Sequence, residues 1–332
     1  MEPFKHTFPA CRTLFLVGVV LQLTNATCTA EKVKFPSVTM ASLRQAIAGD
    51  SADKVLVPGE LQYPATRAER YPSVVIAHAS GGYDPETEGW FAAELNKAGF
   101  ATLTYDSFIP RKWGSQFKNG GPATLPTTIA DGFAALSFMA AEPRIDPARV
   151  AIIGFSLGGD VAHAAAIESF HKALSPEHRF AAHVSFYPGF TLGARAGPQA
   201  YTGSPVLLLL AEKDELTPAE KVQHYLTYLK QGSANTSIET LIYPGAYHAW
   251  ANPHTPKAQF FADAGSARKC PMMLVGDEGL QNLVNGQEAP FDAADRQRCL
   301  ASGRGYTMGF NAGIRAKSLA DAVAFLRRTS AR

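Results

Sequence analysis

The chain has 332 residues, 46% of them hydrophobic, and a formal net charge of +2 at neutral pH. That length suffices for one large α/β domain or two smaller ones. A charge balance so near zero argues against nucleic acid or another polyanion as partner, and the chain carries neither an internal repeat nor a low-complexity tract.

The first thirty residues stand apart. Lys5, His6 and Arg12 precede an apolar run from Leu14 to Leu23 that only Gly18 and Gln22 interrupt, and small or polar residues follow up to Ala30. A basic start, an apolar middle and a small-residue exit predict a secretory signal peptide over residues 1–30, with cleavage after Ala26 or Ala30. The apolar run is too short for an ordinary membrane span, so no stable span is expected, and an uncleaved anchor is the alternative. A lipoprotein signal at Cys28 fits less well, because Thr27 is bulkier than the small residue such a site prefers. The expected location is periplasmic or secreted, and residues 31–332 are expected to form one domain.

Export permits disulfides. Of the four cysteines, Cys11 leaves with the signal and Cys28 leaves if the cut falls at Ala30; Cys270 and Cys299 remain. A bridge between those two closes a loop of about thirty residues, worth roughly 3–4 kcal/mol on a chain-entropy account. Two free buried thiols are the alternative. No third cysteine or nearby histidine joins them at zinc-site spacing, so no metal is expected.

In chain order, Val33–Val38 and Lys54–Tyr63 alternate weakly and read as edge strands, with Pro58-Gly59 as a turn between short pieces. Ser73–His78 is strongly apolar and reads as a central strand; it runs into Ala79-Ser80-Gly81-Gly82. Glu86–Ala98 reads as a helix with Trp90, Phe91 and Leu95 on one face and Gly99 as its stop. Phe100–Tyr105 is the next strand, residues 106–126 a long polar loop, and Thr127–Ala141 a helix. After residue 180, Ala181–Tyr187 and the aliphatic Pro205–Ala211 read as strands, Pro218–Gln231 as a helix, and Ser237–Tyr243 as the last strand. Residues 251–306 read as an irregular insertion. Ile314–Arg328 reads as an amphipathic closing helix, with Ile314, Leu319, Val323, Phe325 and Leu326 inward. Strand alternating with helix predicts a mostly parallel sheet covered on both faces.

The stretch Val150–Gly159 carries the chemistry. Val150, Ala151, Ile152 and Ile153 make a buried strand; Gly154, Ser156 and Gly158 spell G-x-S-x-G; an alanine-rich helix over Val161–Ile167 follows. Strand, sharp turn and helix in that order lift a serine onto a nucleophile elbow. A structural serine in a tight turn is the bland alternative. A phosphate loop is excluded, because Asp160 and Val161 stand where Lys and Ser or Thr belong.

A serine hydroxyl is a poor nucleophile near neutral pH, so it needs a base, and the base needs an acceptor that fixes its tautomer. The elbow architecture supplies them in the order Ser, Asp, His, on loops after later strands. Asp214 follows the end of the aliphatic strand by three residues, and His248 follows the last strand by five. Glu215 is the runner-up acid, Glu212 lies too close to its strand, and His78 and His254 are the alternative bases. The oxyanion donors are expected to be the amide of Leu157 and that of Ser80 or Gly81. No organic cofactor is required.

These segments together resemble the dienelactone hydrolase family of α/β-hydrolases. The resemblance rests on His78-Ala-Ser-Gly-Gly82, Gly154-Phe-Ser-Leu-Gly-Gly159, Lys213-Asp-Glu-Leu-Thr-Pro218 and Tyr243-Pro-Gly-Ala-Tyr-His-Ala-Trp250, and covers about residues 55–250. It implies the α/β-hydrolase fold, the triad Ser156, Asp214 and His248, and hydrolysis of small-molecule esters or lactones. The chain departs from the founding members, whose nucleophile is cysteine, and so favours a general ester over the dienelactone. The rivals are an oligopeptidase-like serine peptidase, which shares the triad order, and a binding module on a hydrolase scaffold that has lost catalysis.

Overall fold

The computed structural model describes residues 30–50, 53–116, 124–266 and 268–330. All of the expected signal peptide but Ala30, the alternative cleavage residue, lies outside them, with Cys28 and the Ala26 cleavage site, as do residues 117–123 of the long loop.

The main sheet is built from β1 (Ala30–Thr39), β2 (Asp53–Gln62), β3 (Tyr71–Ala77), β4 (Ala101–Tyr105), β5 (Ile145–Phe155) and β6 (His183–Phe186). A short strand β7 (Leu192–Ala194) belongs elsewhere, and β8 (Val206–Ala211) and β9 (Ile238–Tyr243) complete the main sheet. The order is β1-β2-β4-β3-β5-β6-β8-β9. From β4 to β9 every pairing is parallel, whereas β1 and β2 join antiparallel. The helices are α1 (Leu43–Ala48), α2 (Trp90–Lys97), α3 (Thr124–Ala141), α4 (Leu157–Ala164), α5 (Glu168–Leu174) and α6 (Ala219–Gln231), with α7 (Ala293–Ser302) and α8 (Ala312–Ser330) after the main sheet.

The period of two along the strands divides the core into two layers. Val75, Ile152 and Leu208 face one side, with Phe133 and Leu136 of α3. Val74, Ile76, Ile153, Leu207 and Leu209 face the other, with Phe91 of α2 and Phe325 and Leu326 of α8. Both faces being covered explains the unbroken aliphatic run Val206–Ala211, every residue of which is buried. On α8, Phe325 and Leu326 are buried while Ile314, Leu319 and Val323 are partly so.

Three local expectations need correction. Pro58-Gly59 is no turn: β2 is continuous, Pro58 and Gly59 pair with Lys34 and Val33, and Gly59 also pairs with Tyr105, so this end of β2 lies inside the sheet. A side chain at Gly59 would sit 2.7 Å from the Thr104 carbonyl oxygen, and it is this close approach that the glycine serves. The elbow helix begins at Leu157 and stops at Ala164, and Glu168–Leu174 is a separate helix after a brief break.

The third correction concerns residues 251–306, which are largely regular. They hold β10 (Gln259–Gly265), β11 (Met272–Gly276), β12 (Gly279–Val284), β13 (Gln287–Pro290) and α7, and β14 (Arg304–Met308) completes the excursion. β11 pairs in parallel with β7 of the main body, giving a four-stranded sheet β13-β12-β11-β7, while β14 pairs with β10. The strands are short and pair mostly within the excursion, so linear periodicity carried little trace of them. Cys270 and Cys299 are disulfide-bonded and tie the start of β11 to α7.

Candidate active site

Ser156 sits between β5 and α4 with φ 52° and ψ −109°, a conformation L-residues rarely adopt. The surrounding packing holds it there. Its N–H donates to the Phe186 carbonyl at 3.0 Å. A methyl group at Gly154 would lie 2.0 Å from the Gly158 oxygen, and one at Gly158 2.1 Å from the Ala77 oxygen. Helix and strands thus approach to distances only glycine allows, and the serine is lifted off the end of β5.

The hydroxyl of Ser156 donates to His248 Nε2 at 2.9 Å, and His248 Nδ1–H donates to Asp214 Oδ2 at 2.8 Å. Each hydrogen bond assigns the other, because a neutral imidazole carries one N–H and one acceptor nitrogen. The second Asp214 oxygen accepts the amides of Leu216 and Thr217 at 2.9 and 3.1 Å, which locks the carboxylate's rotamer. Thr217 in turn donates its hydroxyl to the Pro188 carbonyl. Asp214 and His248 are buried, and Ser156 is nearly so.

The histidine ring packs against two aromatic rings. Tyr187, at the end of β6, and Tyr306, on β14, each lie 5.1 Å from it in a T-shaped arrangement. Trp250 packs 4.6 Å from Tyr187 and donates its indole N–H to Ser318 of α8. The closing helix therefore anchors the histidine loop. Met308 forms a bridge with His248, whose carbonyl accepts the Gly309 amide at 3.1 Å.

The alternatives from the sequence all have other partners. Glu215 accepts the Thr307 amide, and Glu212 accepts that of Gly245. His78 is a core histidine: Nδ1 donates to the Ala79 carbonyl, Nε2 accepts the Ser107 amide, and burial lowers its pKa. His254 lies against Asp84 at 3.1 Å and Glu86 at 3.5 Å.

A cavity of about 420 Å³ opens over the serine, lined on one side by Ala79, Ser80, Gly81 and Gly82 and on the other by His248, Tyr306 and Met308. Gly82 takes φ 94°, which folds residues 79–82 into a turn closed by its amide on the Ala79 carbonyl. Leu157 is the first residue of α4, where amides have no intrahelical acceptor.

Sequence reasoning missed Glu88. Its buried carboxylate accepts the Ala79 amide at 3.2 Å and the Asp84 amide at 2.9 Å, pinning the start of that turn and the chain just after it. Burial pushes its pKa up to about 8. It sits in a π turn (Pro85–Gly89) ahead of α2, where an acidic residue reads as a solvated helix start. Asp160, also buried, rises to about 7 by burial, although the amides of Phe190 and Thr191 oppose the shift. Tyr187, Tyr306 and Met308 were missed as well; Tyr187 was signalled by its place where β6 ends beside the elbow, the other two by nothing local.

A mostly parallel sheet covered on both faces, with a serine on a strand-to-helix elbow, defines an α/β-hydrolase fold. The model of the dienelactone hydrolase family matches residues 58–270, and the chain belongs to that family. An uncharacterised protein of Pseudomonas aeruginosa is 27% identical over 122 residues, 36% of this chain and only 32% of that protein's length. An uncharacterised protein of Mycobacterium tuberculosis is 25% identical over 63% of this chain and 80% of its own. Among solved structures, a dienelactone hydrolase-like promiscuous phosphotriesterase from metagenomic libraries is 19% identical, with a TM-score of 0.48, over 82% of this chain and 95% of that one. A putative dienelactone hydrolase from Klebsiella pneumoniae is 18% identical, with a TM-score of 0.43, over 67% and 88%.

Proposed function

We propose that this member of the family is an exported serine hydrolase that cleaves carboxylic esters or lactones through an acyl-enzyme on Ser156. The observation that carries the reading is the unbroken hydrogen-bond chain from the Ser156 hydroxyl through His248 to Asp214, with its nucleophilic end in the cavity.

Ser156 Oγ attacks the carbonyl carbon and its proton passes to His248 Nε2. Asp214 stabilises the imidazolium so formed. The negative charge on the carbonyl oxygen is met by the amide of Leu157 and one from the turn at Ser80 and Gly81, each donor worth roughly 10²–10³ in rate. The bond to the alkoxide oxygen then breaks, and that oxygen takes the proton from Nε2 and leaves as the alcohol. Water attacks the acyl carbon and gives its proton to Nε2; the acyl–Oγ bond breaks and the proton returns to Oγ. A lactone follows the same steps with its alcohol still tethered. The bonded pair Cys270–Cys299 supports export, since such bridges persist in oxidising compartments.

The test is labelling with a fluorophosphonate, read by peptide mass spectrometry, beside hydrolysis of p-nitrophenyl acetate. A single adduct on Ser156 with loss of hydrolysis is expected. Hydrolysis that survives stoichiometric labelling would remove Ser156 from the mechanism, and an unlabelled, inert protein would favour a binding module.

A further inference from the structure

The proposed chemistry dictates where each half of an ester lies. The carbonyl oxygen must face the amides at the elbow and the 79–82 turn. The alcohol oxygen must come within hydrogen-bond reach of His248 Nε2, because it is that nitrogen which protonates it. The alcohol half therefore lies beside the histidine, against whatever flanks that ring in the cavity.

Tyr187, at the end of β6, and Tyr306 and Met308 of β14 line the cavity with His248; of these, β14 supplies the part that the excursion brings to the site. Tyr306 presents its ring to His248 at 5.1 Å and is buried; Met308 is partly buried and lines the same cavity as Ser156. Their positions are fixed from three directions. The Thr307 amide donates to Glu215 on the acid loop, the Gly309 amide to the His248 carbonyl, and Phe261 of β10 pairs with Tyr306. Tyr306 packs with Leu216 and Ala264, and Phe261 and Met308 lie against that cluster. This wall is no loose cover but a strand stitched to both catalytic loops. It also lies beyond residue 270, where the match to the family model ends.

Two acids in the cavity lining are engaged by neighbouring groups. Asp84 accepts the Glu86 amide and the Thr87 hydroxyl and lies against His254, and Glu88 accepts two amides. What β14 offers beside the histidine is a ring and a thioether, a pair suited to flat or apolar groups.

Building on the esterase reading, we propose that Tyr306 and Met308 form the leaving-alcohol subsite, so that the excursion at 251–308 selects for aryl and apolar alcohols over small or polyhydroxylated ones. The acyl group is chosen elsewhere in the cavity.

The experiment uses the full chain and two ester series. One holds the acid as acetate and varies the alcohol from methyl through butyl and glyceryl to phenyl; the other holds the alcohol as phenol and varies the acid from acetate to octanoate. Each variant is compared with wild type on the same ester, so the ester's own reactivity cancels. Met308→Ala and Tyr306→Ala are expected to lower kcat/KM for phenyl acetate roughly 5–20-fold more than for methyl acetate, the scale of a few apolar groups lost from a pocket. Across the acyl series the same ratio is expected to move less than about twofold. Met308→Leu and Tyr306→Phe, which keep the apolar bulk, restore the alcohol preference. Met308 is only partly buried, so its truncation decides the matter if Tyr306→Ala fails to fold. Equal losses across both series, or a shift confined to the acyl series, overturn the subsite. An enzyme whose wild type cleaves no ester at all overturns the esterase reading itself, which the fluorophosphonate adduct tells apart from a merely wrong subsite.

Discussion

Two kinds of chain face each other across the cavity. One is the elbow and the turns after β3, β8 and β9, where each side chain's position follows from the strand it ends. The other is the 251–308 excursion, whose residues reach the site only because β11 pairs with β7 and β14 is fastened to the histidine and acid loops. The contrast teaches a division of labour. The strand ends carry the proposed bond-making groups, and the excursion carries shape. Damage to the first should abolish turnover, while damage to the second should change which substrate turns over or how firmly the wall holds.

The largest expected effect tests the strand-end side. Ser156→Ala should lower kcat by about 10⁶ on p-nitrophenyl acetate. A residual rate within tenfold of wild type would break the comparison at its root. Asp214→Asn should come next, at about 10⁴, because an amide at Asp214 Oδ2's position disturbs the tautomer of His248 without removing it. Fold and burial should be kept in both, which circular dichroism checks.

Cutting the bridge probes the excursion. Cys299→Ser should weaken it by roughly 3–4 kcal/mol and expose the 270–299 loop to limited proteolysis, while Ser156 stays reactive toward the fluorophosphonate. If labelling of Ser156 vanishes together with protease resistance, the two sides are not separable in this way.

The smallest effect concerns Glu88, which pins the 79–84 turn from the strand-end side. Its pKa lies near 4.5 unfolded and is raised to about 8 in the fold, by burial above all. The folded protein therefore binds the extra proton. The stability this contributes is complete below about pH 4.5 and is lost as pH rises through 8. Relative to wild type, Glu88→Gln should flatten that fall, measured as urea midpoints at pH 5.5 and 8.5. Parallel pH slopes in the two proteins would show that the carboxyl does not titrate in this range.

The legible part of the site was the part written in short segments. Val150–Gly159 announces strand, elbow and helix within ten residues. Asp214 and His248 could be placed because each follows a recognisable strand at a fixed short distance, and the structure brings both to Ser156. Glu88 was not legible: a carboxylate is ordinary at a helix start, and only the fold shows that it turns inward to accept the amides of Ala79 and Asp84. The excursion failed for another reason. Its strands run four to seven residues and pair mostly with one another, and half-buried strands of that length leave no periodicity long enough to read.

By itself, then, the sequence determined the succession of the main strands along the chain, the covered parallel sheet, the elbow and the candidates for nucleophile, base and acid. These rest on local steric and hydrophobic rules that act within a dozen residues. Tertiary structure alone decided that Tyr187 and Tyr306 both pack on one imidazole, and that a strand nearly sixty residues beyond His248 returns to wall the cavity. Such contacts join residues far apart in the chain, and their energy comes from the shape of the assembled surface rather than from any stretch that could be read alone.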